Sequence, residues 1–254
     1  MKHHEDSIPN MIAHYQKDKE IMALFLVGSV ATGTERPDSD LDGVAIISEE
    51  YFQQKKEAGG TLEVCHGKCT YQGGYFDIHF HTLQQLKQIA ESGSEPMRNL
   101  FTNAKMLFCH PSYEQEILPL VSSIPIFPKS ELAAKKLRYY CTFKQFYLYF
   151  WRTCKPQGFH RHHVANGMVF CLYRLILLEN KLLFPSMRKL EESVINYALN
   201  KPNNIVEKCN KFLQTLSDDD ALELIESYES WTEYDYPKNH HIINNNFADP
   251  YEWQ

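Results

Sequence analysis

The chain predicts an α+β protein: a mixed-sheet domain over residues 1–122, then an all-α helical bundle domain over residues 123–254. Three observations carry that expectation. Short apolar runs and stretches of strict apolar/polar alternation, the period of strands, crowd into the first half. Pro119, Pro125 and Pro128 then cluster around Ser122 and Ser123. Beyond that cluster strand patterns almost vanish, while apolar repeats of helical period continue. A chain of 254 residues can bury the core of one large or two small domains.

The elements follow in order. Residues 8–19 read as an opening helix behind Asp6 and Ser7, and residues 21–27 as a buried strand running into a Gly28-Ser29 turn. A second apolar run starts at Asp40-Leu41-Asp42 and ends at Ile47. Residues 49–58 read as a helix closed by Gly59-Gly60. Strands are expected at 61–65, 68–72 and 75–81, with Gly73-Gly74 turning a hairpin between the last two. A helix over 83–92 and a strand near 105–109 complete the first domain. The second half predicts helices at 130–155, 160–180, 187–200, 203–216 and 218–230. Ser130 and Ser217 serve as caps, with breaks at Pro156, Gly158, Pro185 and Pro202. Asn244-Asn245-Asn246 reads as a polar turn. In the first long helix Tyr139, Phe143, Phe146 and Phe150 form the stripe expected to be buried, and Tyr140, Tyr147 and Trp151 a neighbouring stripe better suited to line a cleft.

Composition narrows the function. A net charge of -6 argues against general affinity for nucleic acid or anionic membrane, which needs clustered Lys and Arg to displace counterions. The seven cysteines are scattered, odd in number and without a C-x-x-C pair, the usage of free thiols in a reducing compartment. The first residues lack the apolar core of a signal peptide, and the apolar stretch 168–178 is short and interrupted by Arg174, so the expected location is cytoplasmic.

Chemistry concentrates between Leu24 and Ile47. Alternate strand side chains share a face, so Asp40 and Asp42 project together, close enough to share divalent cations. The Gly28-Ser29 turn beside them lets phosphates approach the backbone, with N–H groups and the Ser29 hydroxyl as donors. In the run from Tyr75 to His81, alternation puts Phe76, Ile78 and Phe80 on one face and Asp77, His79 and His81 on the other. Asp38, Asp40, Asp42, Gly43 and Glu49 also spell a calcium-loop pattern, but Gly28, Gly33 and Pro37 break the helix such a loop requires, and residues 44–47 read as strand. His160, His162 and His163 suggest a metal cluster, yet their spacing and lack of a Cys or acidic partner fit a solvated helix start better.

The Gly-Ser turn followed about a dozen residues later by Asp-x-Asp resembles the signature of the DNA polymerase β-like nucleotidyltransferase superfamily. That resemblance implies Asp77 as the third carboxylate beside Asp40 and Asp42, two Mg2+ ions held by the three, and a nucleoside triphosphate, ATP, bound through Gly28, Ser29 and Ser39. The layout resembles members that modify small molecules. The stretch from Asn180 to Leu190 looks like the Asn, Pro and Lys-Leu segment of lincosamide- and aminoglycoside-type enzymes, which implies Arg188 or Lys189 as a phosphate ligand. Where many relatives have a cation soon after Gly-Ser, this chain has Ala31 and Thr32, and the nearest is Arg36. The implied reaction moves a nucleoside monophosphate to a hydroxyl of a small acceptor and releases pyrophosphate. The alternatives are a protein-modifying or antitoxin-type member and a silent nucleotide-binding regulator. Arg174 and Glu179, inside an apolar helix, are expected in ion pairs, Glu179 doubling as a minor candidate for general base.

Overall fold

A computed structural model describes residues 1–236, so the expected polar turn at 244–246 lies outside the described residues. The chain divides into two compact units, Met1–Ile126 and Phe127–Gln254.

The first unit opens on α1 (Lys2–Tyr15), which starts six residues before the expected helix and carries Pro9 inside it. Proline at that place removes one internal hydrogen bond, a cost met by the burial of His4, Ser7, Met11 and Tyr15 on the inner side. The strands are β1 (Ile21–Leu26), β2 (Leu41–Ile47), β3 (Leu62–His66), β4 (Tyr75–Thr82) and β5 (Lys105–Cys109), in sheet order β3-β4-β2-β1-β5. Only β2 and β4 pair in parallel among these neighbours. Their connection runs through α3 (Glu49–Glu57), capped by Ser48, whose side chain accepts from the Tyr51 N–H.

Two cores sandwich this sheet. On one face Leu41, Ala45, Ile47, Phe76, Ile78 and Phe80 pack with Met11 and Tyr15 of α1. On the other, Val44 and Ile46 pack with Leu86 and Ile89 of α4 (Leu83–Ser92) and with Ile117 and Val121 of α6 (Pro111–Ser123). Each fully buried Leu, Ile, Val, Phe or Met among them contributes roughly 1.5–3 kcal/mol. Between α4 and β5 lies α5 (Glu95–Leu100), and α2 (Gly28–Thr32) follows β1 directly. The buried face of β4 alternates as the sequence predicts, Phe76, Ile78, Phe80 and Thr82 inward.

One expected strand is missing. Residues 68–72 form a loop because α1 competes for their polar groups: Thr70 N–H donates to Ser7 Oγ at 2.9 Å, and Asn10 Nδ2 donates to the Lys68 carbonyl at 3.0 Å. The hairpin partner of β4 is therefore β3, with Val64 opposite Asp77 and Leu62 opposite His79.

In the second unit α7 (Lys129–Gln145) continues without interruption into a π-helical segment, Phe146–Thr153. Pro128, not Ser130, occupies the cap position of α7, whereas Ser217 caps α11 (Asp218–Glu229) as expected, accepting from the Asp220 N–H. Around α8 (Gly158–Glu179), buried on all sides from Cys171 to Leu178, pack α7, α9 (Leu190–Asn196) and α10 (Ile205–Thr215). The aromatic stripes depart from the expectation, except that Phe143 is buried as expected. Tyr140, Phe143, Tyr147 and Trp151 are buried, while Tyr139, Phe146 and Phe150 are only partly covered. Burial of the polar-tipped rings is offset by partners: Tyr140 Oη donates to Glu229 at 2.7 Å, and Trp151 Nε1 to Asp218 at 3.0 Å. All seven cysteines are free thiols. Among the described residues no helix is long and apolar enough to cross a membrane.

Candidate active site

The parallel register of β2 and β4 sets Asp42 directly beside Asp77. Asp40 precedes β2 by one residue and shares the Asp42 face. On that face the row continues through Val44 and Ile46, which lie under α4 and α6, whereas Asp40, Asp42 and Asp77 remain half-exposed beyond the helices. Carboxylate oxygens of all three lie within 4.8 Å of one another. At an effective dielectric constant of about 20, two full charges that close repel by roughly 3 kcal/mol, so the cluster calls for a cation. The donor set is all carboxylate oxygen, suited to a hard divalent ion such as Mg2+. Asp77 Oδ1 is buried and accepts no hydrogen bond, with His79 Nε2 the nearest basic atom at 3.9 Å.

The turn after β1 is built against these acids. Gly28 has φ +68°, and a Cβ placed there would lie 1.9 Å from Asp42 Oδ2. Only glycine combines that backbone conformation with that approach. Ser29 follows, half-exposed, at the start of α2, and its carbonyl accepts from Thr34 N–H at 3.0 Å. The expected turn is thus the first residue pair of a single helical turn that ends at Gly33, φ +73°.

A second set of contacts fixes the approach to Asp40. The Ser39 carbonyl accepts from Tyr71 Oη at 2.5 Å and lies 3.1 Å from His4 Nε2, a fully buried ring of α1. His3 Nε2 lies 3.0 Å from the Pro37 carbonyl. Ser39 itself is nearly buried, and its hydroxyl accepts from the Arg36 N–H at 2.9 Å. Tyr75 donates to Asp40, and that hydrogen bond, with the negative charge behind it, raises the phenol above its usual range. Burial lowers His4 below the ordinary imidazole value, keeping it neutral at its post. Tyr71, Tyr75 and His4 were not singled out from sequence; Tyr75 was recoverable, since it alternates onto the Asp77 face.

The remaining expected residues are placed as follows. Arg36 is exposed and pairs with Asp38 at 3.4 Å. Arg188 and Lys189 belong to the second unit, on a 3-10 turn, Met187–Lys189, where Arg188 is exposed. His160, His162 and His163 are exposed in the first turns of α8. The calcium-loop alternative fails, because Leu41–Ile47 is strand. Glu179 pairs with Lys136 and accepts from Thr232 Oγ1 at 3.1 Å, a structural role. Arg174, fully buried, lies over the Tyr139 and Phe184 rings at 4.8 and 4.4 Å.

A mixed sheet carrying three clustered aspartates beside a glycine turn defines a candidate metal-and-phosphate centre of nucleotidyl-transfer type. Residues 12–102 match the family model described as a nucleotidyltransferase domain. The match lies within the first unit and supports the resemblance to the polymerase β-like superfamily. Among solved structures the chain is similar to a nucleotidyltransferase-like protein from Exiguobacterium sibiricum 255-15. The identity is 12%, the alignment covers 89% of this chain and 73% of that one, and the TM-score is 0.43. No curated protein matches the chain.

Proposed function

We propose that the chain is a metal-dependent nucleotidyltransferase that moves a nucleoside monophosphate, AMP from ATP, onto a hydroxyl of a small acceptor with release of pyrophosphate. The observation that carries the reading is the meeting of Asp40, Asp42 and Asp77 within 4.8 Å beside a glycine that no other residue can replace without displacing Asp42. Bound at those carboxylates, two Mg2+ ions would neutralise the triphosphate and stabilise the attacking and leaving oxygens of an in-line displacement. Asp42 faces the Gly28 turn, which admits the triphosphate tail against the backbone, and the Ser29 hydroxyl donates to it. Asp77, on the other side of Asp42, serves the acceptor side. In this reading a cytoplasmic location supplies the ATP.

The reading is tested by thermal unfolding with each of the four nucleoside triphosphates, with and without Mg2+. A ligand that binds only the native state raises the melting temperature, by mass action equivalent to about 2.7 kcal/mol at a hundred times its dissociation constant. The expected result is a rise that requires Mg2+, is largest with ATP and vanishes in Asp40→Ala. An ATP-induced rise of equal size in Asp40→Ala would refute it.

A further inference from the structure

An in-line displacement places the attacking hydroxyl and the leaving pyrophosphate on opposite sides of the α-phosphorus. In this sheet those sides are distinct strands. The Gly28 turn follows β1, and the order from it runs β1, β2 with Asp42, β4 with Asp77, then β3. If pyrophosphate leaves along the Gly28 turn, the acceptor arrives over β3.

What β3 presents there is unusual for an edge strand. Paired residues of an antiparallel ladder share a face, so Val64 flanks Asp77 and Leu62 flanks His79 on the carboxylate side. Both are large apolar side chains left 47% and 49% exposed. The alternate positions of the same strand, Glu63 and Cys65, are the more covered ones. A polar-out edge would do the reverse. The Val64–Leu62 strip leads into a pocket of about 420 Å³, with Leu62, Ile89 and Met97 among its apolar lining and His79, Gln85 and Gln88 at its edge. His79, one of its lining residues, lies 3.9 Å from Asp77. No Asp, Glu, Lys or Arg lines it among the described residues. Burial also holds the His81 ring in its wall below the usual imidazole range, so that group adds no charge at neutral pH.

We infer that the Val64–Leu62 strip and the pocket behind it form the acceptor subsite, and that the acceptor is a neutral, partly apolar ring compound bearing a hydroxyl, not a polycation. Apolar walls hold the ring, while Gln85, Gln88 and Ser92 offer neutral hydrogen-bonding groups at its edge. A polycationic aminoglycoside would lose hydration there and gain no carboxylate beyond the three already committed to metal. The inference rests on the nucleotidyl-transfer reading and deepens it by naming the substrate class.

Calorimetry on the full chain with Mg2+ and a non-hydrolysable ATP analogue tests it, using a panel of neutral phenyl glycosides and kanamycin as the polycationic probe. Leu62→Gln and Val64→Gln make exposed side chains polar without adding a charge beside Asp77, and thermal unfolding checks that both variants fold. The expected result is glycoside binding by the parent chain, weakened roughly tenfold or more in either variant, with analogue affinity unchanged. Tighter binding of kanamycin than of every glycoside, no glycoside binding at all, or parental glycoside affinity in both variants would overturn the inference while leaving nucleotide binding standing. Absence of Mg2+-dependent analogue binding in the parent chain, or its persistence in Asp40→Ala, would overturn the nucleotidyl-transfer reading and the acceptor subsite with it.

Discussion

Replacing Gly28 with alanine separates backbone strain from active-site geometry, because Gly33 supplies a matched control five residues away. Both glycines have left-handed backbones, φ +68° and +73°. An L-residue in that region costs about 1–2 kcal/mol, so each alanine should lower the melting temperature by about 2–8 °C for a chain of this size. The two differ in what the new Cβ meets. At Gly33 no heavy atom lies within 4 Å, whereas at Gly28 Asp42 Oδ2 lies at 1.9 Å and must retreat by at least 1.1 Å to reach 3.0 Å. A displacement of that size at a reacting centre costs on the order of 100-fold. Gly28→Ala should therefore lose about two orders of magnitude in Mg-ATP affinity or turnover, while Gly33→Ala keeps both and loses only stability. Calorimetry of Mg-ATP binding beside thermal unfolding measures the two effects. Equal Mg-ATP affinity in the two variants would refute the placement of Asp42 at the metal.

Three further outcomes are expected. Asp40→Asn and Asp77→Asn should abolish the Mg2+-dependent rise in melting temperature with ATP, yet raise the stability of the metal-free protein by on the order of 1 kcal/mol as repulsion is relieved; scanning calorimetry in chelator checks both signs. Ser29→Ala removes one hydroxyl donor and should weaken nucleoside triphosphate binding by about 0.5–3 kcal/mol with little change for the monophosphate, so equal losses would place Ser29 away from the tail. Hydrogen bonds from Lys211, Thr215 and Ser217 hold the Asp220 carboxyl down at about 2, below its usual 3.8. Its stabilising effect is complete above the unfolded value and is lost as pH falls from about 4 to about 2, so Asp220→Asn should flatten the acid limb of a urea-unfolding profile in that window.

The carboxylate site was legible because strand alternation is a period of two and needs no tertiary knowledge: Asp40 with Asp42, and Asp77 with His79, follow from counting along apolar runs. That β2 and β4 lie side by side in parallel, bringing the two sets within reach, is a matter of topology that counting cannot supply, and only the superfamily resemblance joined Asp77 to Asp40 and Asp42. The supports of the site stayed hidden for a related reason. His4 and Tyr71 act on the Ser39 carbonyl from segments more than thirty residues away, and a backbone acceptor leaves no sequence trace. Proline misled once, since Pro119, counted with the boundary cluster, lies inside α6, whose packing offsets the lost hydrogen bond. The aromatic helix was misread because both of its stripes satisfy the helical period. The choice between them was made by Glu229 and Asp218, distant partners that let Tyr140 and Trp151 go inward.

The parallel pairing of β2 with β4 also dates the site within the folding process. Asp42 and Asp77 become level only after the chain from 48 to 74 has crossed back through α3 and β3, a long loop whose closure is paid in entropy before any contact rewards it. Every species that forms before β4 docks holds at most two of the three acids together. Magnesium and nucleotide can stabilise what comes after that docking and nothing that comes before it. The stage of refolding at which the rate first responds to Mg-ATP thus marks when the central parallel ladder closes, and if that ladder closes after the rate-limiting barrier, the ligand slows unfolding and leaves the folding rate untouched.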